Sequence, residues 1–240
     1  MNIGGIQKCS LIDYPGKISL VVFTRGCNFF CPYCHNPELI KAEPGGTTSG
    51  SASPERPYNQ EDLFCFLENR KNLLDGIVIS GGEPTLHDDL PQFILRIQEM
   101  GFLVKLDTNG SRPDVLEDIV NDGLVDFIAM DVKTSPARYG SFAGPSLRPA
   151  DIFRSVSILL NSGIQHEFRT TCVYPLVTDS DIKQIARMVS GADSYLLQRP
   201  GTKSVLDPGF FTHTGRPASS AELNHFLHIL SPHVNQCHVR

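Results

Sequence analysis

The chain has 240 residues, enough for one sizeable core and, by default, a single domain. Its 40% hydrophobic and 20% charged residues fit a soluble globular protein, and no run of about 18 apolar residues is present to cross a membrane. A net charge of −5 gives no bulk electrostatic reason to bind nucleic acid.

The opening stretch, MNIGGIQKCSLIDYPG, lacks the basic start and apolar core of a signal peptide, so a cytoplasmic protein is expected. ISLVVFT (18–24) is a short apolar, β-branched run that reads as a buried strand. A loop carrying Cys27, Cys31 and Cys34 follows it directly. Residues 43–57, rich in Gly, Ser and Pro, read as a flexible excursion within the domain rather than a linker, because too little precedes them to fold alone. Helix-like pattern then alternates with apolar runs: helix 59–72, strand 76–80, helix 88–100, strand 102–107, helix 112–122 and strand 126–132. The alternation continues with helix 149–162, strand 166–174, helix 178–190, strand 194–198 and helix 219–230. Segments 134–149 and 199–218 read as irregular. Asp179 or Ser180, and Ser219 or Ser220 with Glu222, are helix N-cap candidates.

Strands that alternate with helical stretches of this length mean βαβ units and a parallel sheet. Six such units are two short of a closed eight-unit barrel, so an α/β fold built as an incomplete (β/α)6 TIM-like barrel is expected, with a doubly wound sheet as the alternative. In either fold, side chains at the C-terminal ends of the strands share one site.

Seven cysteines is an odd count for a disulfide framework. Cys9, Cys65, Cys172 and Cys237 are scattered; Cys65 and Cys172 lie in apolar runs and read as buried, inert thiols. The other three are clustered, which in a reducing compartment favours metal or redox chemistry. Structural zinc needs four ligands, and no second Cys/His pair is evident; His35, adjacent to Cys34, is awkwardly placed as a fourth. The spacing matches neither the bacterial nor the plant ferredoxin run. A cubane held by three thiolates would leave one iron open to a small molecule.

Further strand ends carry polar residues. In SGGEP (80–84), Gly81 and Gly82 can let backbone approach a ligand, and Glu83 can accept a hydrogen bond from an ammonium group, although a plain turn before proline is the simpler reading of GGEP alone. LDTNG (106–110) and MDVK (130–133) follow, with Asp107, Thr108, Asn109, Asp131 and Lys133; turn and cap roles are the simpler reading there. Arg169 lies in the fifth strand, where a charge could equally face solvent.

Cys27-x3-Cys31-x2-Cys34, with Tyr33 before the last cysteine, resembles the signature of the radical S-adenosylmethionine (SAM) superfamily. LIDYPG (11–16) and CHNPE (34–38) make the chain resemble the glycyl-radical-enzyme activases, the anaerobic ribonucleoside-triphosphate reductase activating proteins more than the pyruvate formate-lyase activases. The resemblance runs from about residue 5 to 200 and implies a [4Fe-4S] cluster on Cys27, Cys31 and Cys34, with SAM on its open iron. It further implies SAM contacts at Tyr33, Gly81, Gly82, Glu83, Asp107, Thr108, Asn109, Asp131 and Arg169, and an active-site Lys133. A monovalent cation would be placed against SAM by Asp107, Thr108 and Asp131. The implied partners are a glycyl-radical enzyme, with the anaerobic reductase foremost, and a flavodoxin- or ferredoxin-type electron donor. Segment 43–57 has no cysteines, so the eight-cysteine insert of some activases is absent. The C-terminal stretch beyond position 200 matches no motif, although LDPGFF (206–211) could line the mouth. Two other functions compete: a radical SAM enzyme acting on a small molecule, such as a 7-carboxy-7-deazaguanine synthase, and a structural zinc module.

Overall fold

The computed structural model describes residues 1–40, 58–141, 143 and 147–240; the proposed excursion at 43–57 lies outside them. The chain order is β1 (Ile3–Ser10), β2 (Ser19–Thr24), α1 (Gln60–Glu68), β3 (Gly76–Gly81), α2 (Leu90–Glu99), β4 (Leu103–Thr108), α3 (Pro113–Asn121) and β5 (Phe127–Asp131). It continues with α4 (Pro149–Ser162), β6 (Gln165–Thr171), β7 (Val173–Tyr174), α5 (Asp179–Met188), β8 (Ser194–Gln198), α6 (Phe210–His213), β9 (Arg216–Pro217), α7 (Ser220–Leu230) and β10 (Gln236–Val239).

One curved sheet runs in the order β1-β2-β3-β4-β5-β6-β8-β10. From β2 onward every pairing is parallel, and the six expected strands are all present. No ladder joins β1 to β10 among the described residues, although the Arg240 guanidinium reaches the Ile12 carbonyl beyond β1 at 3.3 Å. The result is the incomplete barrel, with two additions. β1 lies antiparallel on β2, from Ile3 opposite Thr24 to Ser10 opposite Ser19, and β10 adds a seventh parallel strand beside β8.

Strand alternation sorts the side chains onto two faces. Leu20, Val22, Ile77, Ile79, Val104, Leu106, Ile128, Met130 and Phe168 join Leu67, Ile94, Ile97, Leu116, Ile152 and Ile182 of the helices in the main core. Their sequence neighbours Val21, Val78, Phe127 and Ala129 face the concave side with Tyr14. Asp107, Asp131 and Arg169 have the same parity as this second set, so the fold turns them into the barrel.

Several local readings change. The segment expected as one strand over 166–174 divides at Cys172: β6 stays in the sheet, while Val173–Tyr174 pair with Arg216–Pro217. Helix α5 is capped by Thr178, not by Asp179 or Ser180, because the Asp181 carboxylate closes a capping box on Thr178. Ser219 caps α7 with Glu222, as expected. A 3-10 turn, Pro136–Ser141, interrupts the segment expected to be irregular over 134–149. Cys172 is buried, but Cys65 is exposed, since α1 turns Leu63, Phe64 and Leu67 inward and Cys65 falls on the opposite side.

Candidate active site

The cysteine loop begins where β2 ends. Gly26 adopts φ +92°, a conformation that favours glycine, and its N–H bonds the Leu39 carbonyl at 2.7 Å. The Cys27 N–H meets the Ile40 carbonyl at 3.2 Å and closes the loop's base. Phe29 is buried and packs edge-on against Tyr139 at 6.0 Å. A second segment holds the far side: the N–H groups of Leu206 and Asp207 donate to the carbonyls of Cys34 and Pro32, both at 3.0 Å, and the Gly201 N–H donates to His35 Nε2 at 3.1 Å. LDPGFF thus backs the cysteine loop.

A cavity of about 250 Å³ opens between this loop and the strand ends. Cys27, Cys31, Cys34 and Tyr33 form one side, and Gly81, Gly82, Glu83, Asp107, Thr108, Asn109, Asp131, Lys133 and Arg169 line the rest. Every site residue singled out from the sequence therefore reaches the same space. Ser80, Thr171, Gln198, Phe29 and His35 line it too; Ser80, Thr171 and Gln198 stand at strand ends, the one signal that could have drawn attention to them.

The SGGE turn is fastened to the start of the cysteine loop. The Gly82 N–H donates to the Thr24 carbonyl (2.9 Å) and the Glu83 N–H to the Gly26 carbonyl (2.7 Å). A Cβ on Gly82 would sit 2.0 Å from the Gly26 oxygen, and one on Gly81, where φ is +114°, 2.3 Å from the Thr24 nitrogen. Both glycines are thus required for contact between two backbones, whereas the sequence suggests approach to a ligand.

Glu83 is 1% exposed and already engaged. Its Oε1 accepts from Thr108 Oγ1 (2.7 Å) and from the hydroxyl (2.5 Å) and N–H (3.2 Å) of Thr85, and its Oε2 accepts from the Asn109 N–H (2.6 Å). Burial pushes its carboxyl above the usual range, and only Oε2 keeps room for another donor. Asn109 Nδ2 donates to Asn28 Oδ1 at 3.0 Å, tying this strand end to the cysteine loop.

Opposite lies a charged row. Lys105, 1% exposed, places Nζ 2.5 Å from Asp107 Oδ1, while Asp107 Oδ2 accepts from Ser80 Oγ at 3.0 Å and faces Arg169 Nη2 at 3.3 Å. Arg169 Nε donates to Asp131 Oδ1 at 3.0 Å, and Lys133 Nζ to Asp131 Oδ2 at 2.8 Å. The β5–β6 register sets Asp131 opposite Arg169, which fixes the arginine inward at 9% exposure. Burial opposes ionisation of both aspartates, but Arg169 and the neighbouring lysines outweigh it and hold them below the ordinary carboxylate range. The Lys133 ammonium is held above its ordinary value by Asp131 despite burial. Lys105 carries no site signal in the sequence, since it lies inside the strand rather than at its end.

Burial pushes the Cys27 thiol up to about 11 and Cys31 up to about 12. Iron would have to displace these protons, as thiolate ligation always requires. The cavity suits a cluster: three sulfur donors spread along its wall, with the buried Tyr33 hydroxyl facing Cys31. Among the described residues no three His, Cys, Asp or Glu side chains converge to hold a single ion, unlike a tetrahedral zinc set. Of the groups that the resemblance assigns to a monovalent cation, every carboxylate oxygen of Asp107 and Asp131 already faces a donor within the chain, and Thr108 Oγ1 both donates to Glu83 and accepts from the Gly110 N–H at 3.1 Å.

Residues 21–189 match the family model "Radical SAM superfamily". The chain is 37% identical over 214 residues to a candidate glycyl-radical enzyme activating enzyme of Methanocaldococcus jannaschii, covering 87% of this chain and 83% of that protein. It is 29% identical over 196 residues to the pyruvate formate-lyase-activating enzyme of Clostridium pasteurianum, covering 78% and 76%. A solved domain of a pyruvate-formate lyase-activating enzyme from Bacteroides vulgatus shares the fold at a TM-score of 0.55 and 14% identity, covering 69% of this chain and 98% of that one. Among the described residues no helix is long and apolar enough to cross a membrane. Three thiols on a strand-end cavity, in an incomplete barrel matched by that family over most of its sheet, lead to one conclusion: the chain belongs to the radical SAM superfamily, as an enzyme of the kind that carries a [4Fe-4S] cluster and uses SAM.

Proposed function

We propose that the chain is a cytoplasmic activase that removes a hydrogen atom from a backbone glycine of a partner enzyme, and that this partner is the anaerobic ribonucleoside-triphosphate reductase. The observation that carries the reading is the single cavity in which the three cysteines meet the polar ends of β3, β4, β5 and β6. The resemblance to glycyl-radical activating enzymes over most of both chains favours a protein substrate, and LIDYPG with CHNPE favours the reductase.

In this reading Cys27, Cys31 and Cys34 would hold the cluster, and a flavodoxin or ferredoxin would supply its electron. Bound there, cluster and SAM would supply the chemistry, reductive cleavage of a sulfonium bond and uptake of a hydrogen atom from carbon. The chain's residues orient and shield. Glu83 Oε2 would accept from the ammonium of the methionine portion, beside the Gly81–Gly82 backbone. Tyr33, Asp107, Thr108, Asn109 and Asp131 shape the remaining wall, and Arg169 and Lys133 present positive charge to a carboxylate. Lys133 is the lining residue that the resemblance assigns to the active site. Closing a site of this kind against water keeps the radical on its intended C–H bond, and an open barrel mouth admits a glycine carried on a loop.

The test is an anaerobic assay of reconstituted protein with SAM, a reductant and the candidate reductase. An organic radical signal on the reductase, dependent on all components, supports the proposal. SAM cleavage that consumes a purified pterin and leaves every glycyl-radical candidate silent would overturn it in favour of a small-molecule enzyme such as a 7-carboxy-7-deazaguanine synthase.

A further inference from the structure

The carboxylates at the ends of β4 and β5 are matched from within the chain. Lys105 lies two residues before Asp107 on the same face of β4, fully buried, its ammonium on Asp107 Oδ1 at 2.5 Å and 5.8 Å above the Phe127 ring. Arg169 bridges Asp107 to Asp131, and Lys133 completes the row. Glu167, one inward-facing position before Arg169 on β6, adds a third carboxylate that acts on Lys105 and Arg169 through space. Three cations thus face three carboxylates, and the row has no net negative charge with which to attract an ion. An ammonium and a potassium ion carry the same charge and are close in size, but the lysine is already tethered, so its placement needs no ion to be immobilised.

We propose that Lys105 is a built-in cation that does the work of a bound monovalent metal ion, making SAM binding by this protein independent of potassium and sodium. The role is that of a positioning residue: Lys105 fixes Asp107, which with Arg169 sets the wall that SAM meets. It rests on the reading that SAM occupies this cavity.

The experiment is SAM binding to the reconstituted holoprotein, measured anaerobically by equilibrium dialysis. One buffer contains potassium, and the other only choline, whose methylated ammonium cannot be coordinated by carboxylate oxygens as a bare alkali ion is. The wild-type dissociation constant is expected to agree between buffers within about twofold. Lys105→Met is expected to bind about tenfold more weakly in choline and to recover in potassium, within the range seen when a supporting partner is lost from a metal site. Rescue by potassium separates the proposal from a purely structural role, which would weaken both buffers alike. A wild-type affinity that falls about tenfold in choline overturns the proposal even if the variant fails to fold, and so does a folded variant indifferent to potassium. Absence of SAM binding in either buffer instead sinks the reading of the cavity as a SAM site, and this role with it.

Discussion

Replacing Cys31 with alanine deletes one thiol from the cavity wall and little else, since the side chain is small and the loop is held by backbone bonds on both sides. The variant should fold, with a stability loss of about 1 kcal/mol, yet retain no more than traces of iron and cleave no SAM. Iron and sulfide analysis beside far-UV circular dichroism checks both halves, and full SAM cleavage by the variant would remove Cys31 from the ligand set. Gly82 behaves differently. Alanine there puts a carbon 2.0 Å from the Gly26 oxygen, so β3 must part from the cysteine loop, at a cost of about 2–3 kcal/mol that urea unfolding would register, together with slower SAM cleavage. What sequence could and could not show is visible at the same two residues. The spacing of Cys31 with its neighbours is a ligand pattern in itself. The need for glycine at 82 depends on the backbone of Gly26, on a different strand end, and no local signal reports a partner so distant in the chain.

Helix α5 is fastened to the segment after β5 through Asp181. This carboxylate, 2% exposed, accepts from Ser135 Oγ (2.5 Å), Arg138 Nη1 (2.8 Å), and the N–H (2.9 Å) and hydroxyl (2.6 Å) of Thr178. Burial pushes its pKa up, but these donors outweigh it and the carboxyl lies below its ordinary value. Folding therefore favours the ionised form. The contribution is complete above the unfolded value of about 4 and is lost as pH falls toward the folded one. Asp181→Ala should cost about 2–4 kcal/mol at pH 7, with the gap to wild type narrowing below about pH 4; a gap constant with pH would contradict this account. Legibility in the sequence differs between elements for a physical reason. Strands β2, β3 and β5 are buried along most of their length and announce themselves as apolar runs, whereas β6, QHEFRTT, is legible only from its place in the alternation. β1, with two glycines and three exposed residues in a row, and β10, with Gln and His in four residues, are edge strands, and neither carries such a run. Arg169 is ambiguous in the sequence for a related reason, because the inner face of this barrel is charged near its mouth, so polarity in a strand does not mean solvent there.

Across the whole molecule, the cavity shares Phe29, Cys31 and Tyr33 with the edge of the main core, while most of that core lies away from it. Leu20, Ile77, Val104, Ile128 and Phe168 are 0% exposed and pack with the helices, so folding is expected without the cluster, unlike domains that are unfolded without their metal. The cluster-free chain should melt cooperatively, with a far-UV spectrum matching that of the reconstituted protein; a broad, non-cooperative melt would show that the cluster holds the fold. The bonds from Leu206 and Asp207 to the carbonyls of Cys34 and Pro32 carry a consequence for the protein's life in air. Oxygen destroys exposed iron–sulfur clusters, and a loop shaped only by its metal would collapse with them. Here the loop is gripped by a segment from near the other end of the chain, so damage empties the site without erasing it. Reassembly of the site is then expected to need iron, sulfide and a reductant, with no refolding of the loop.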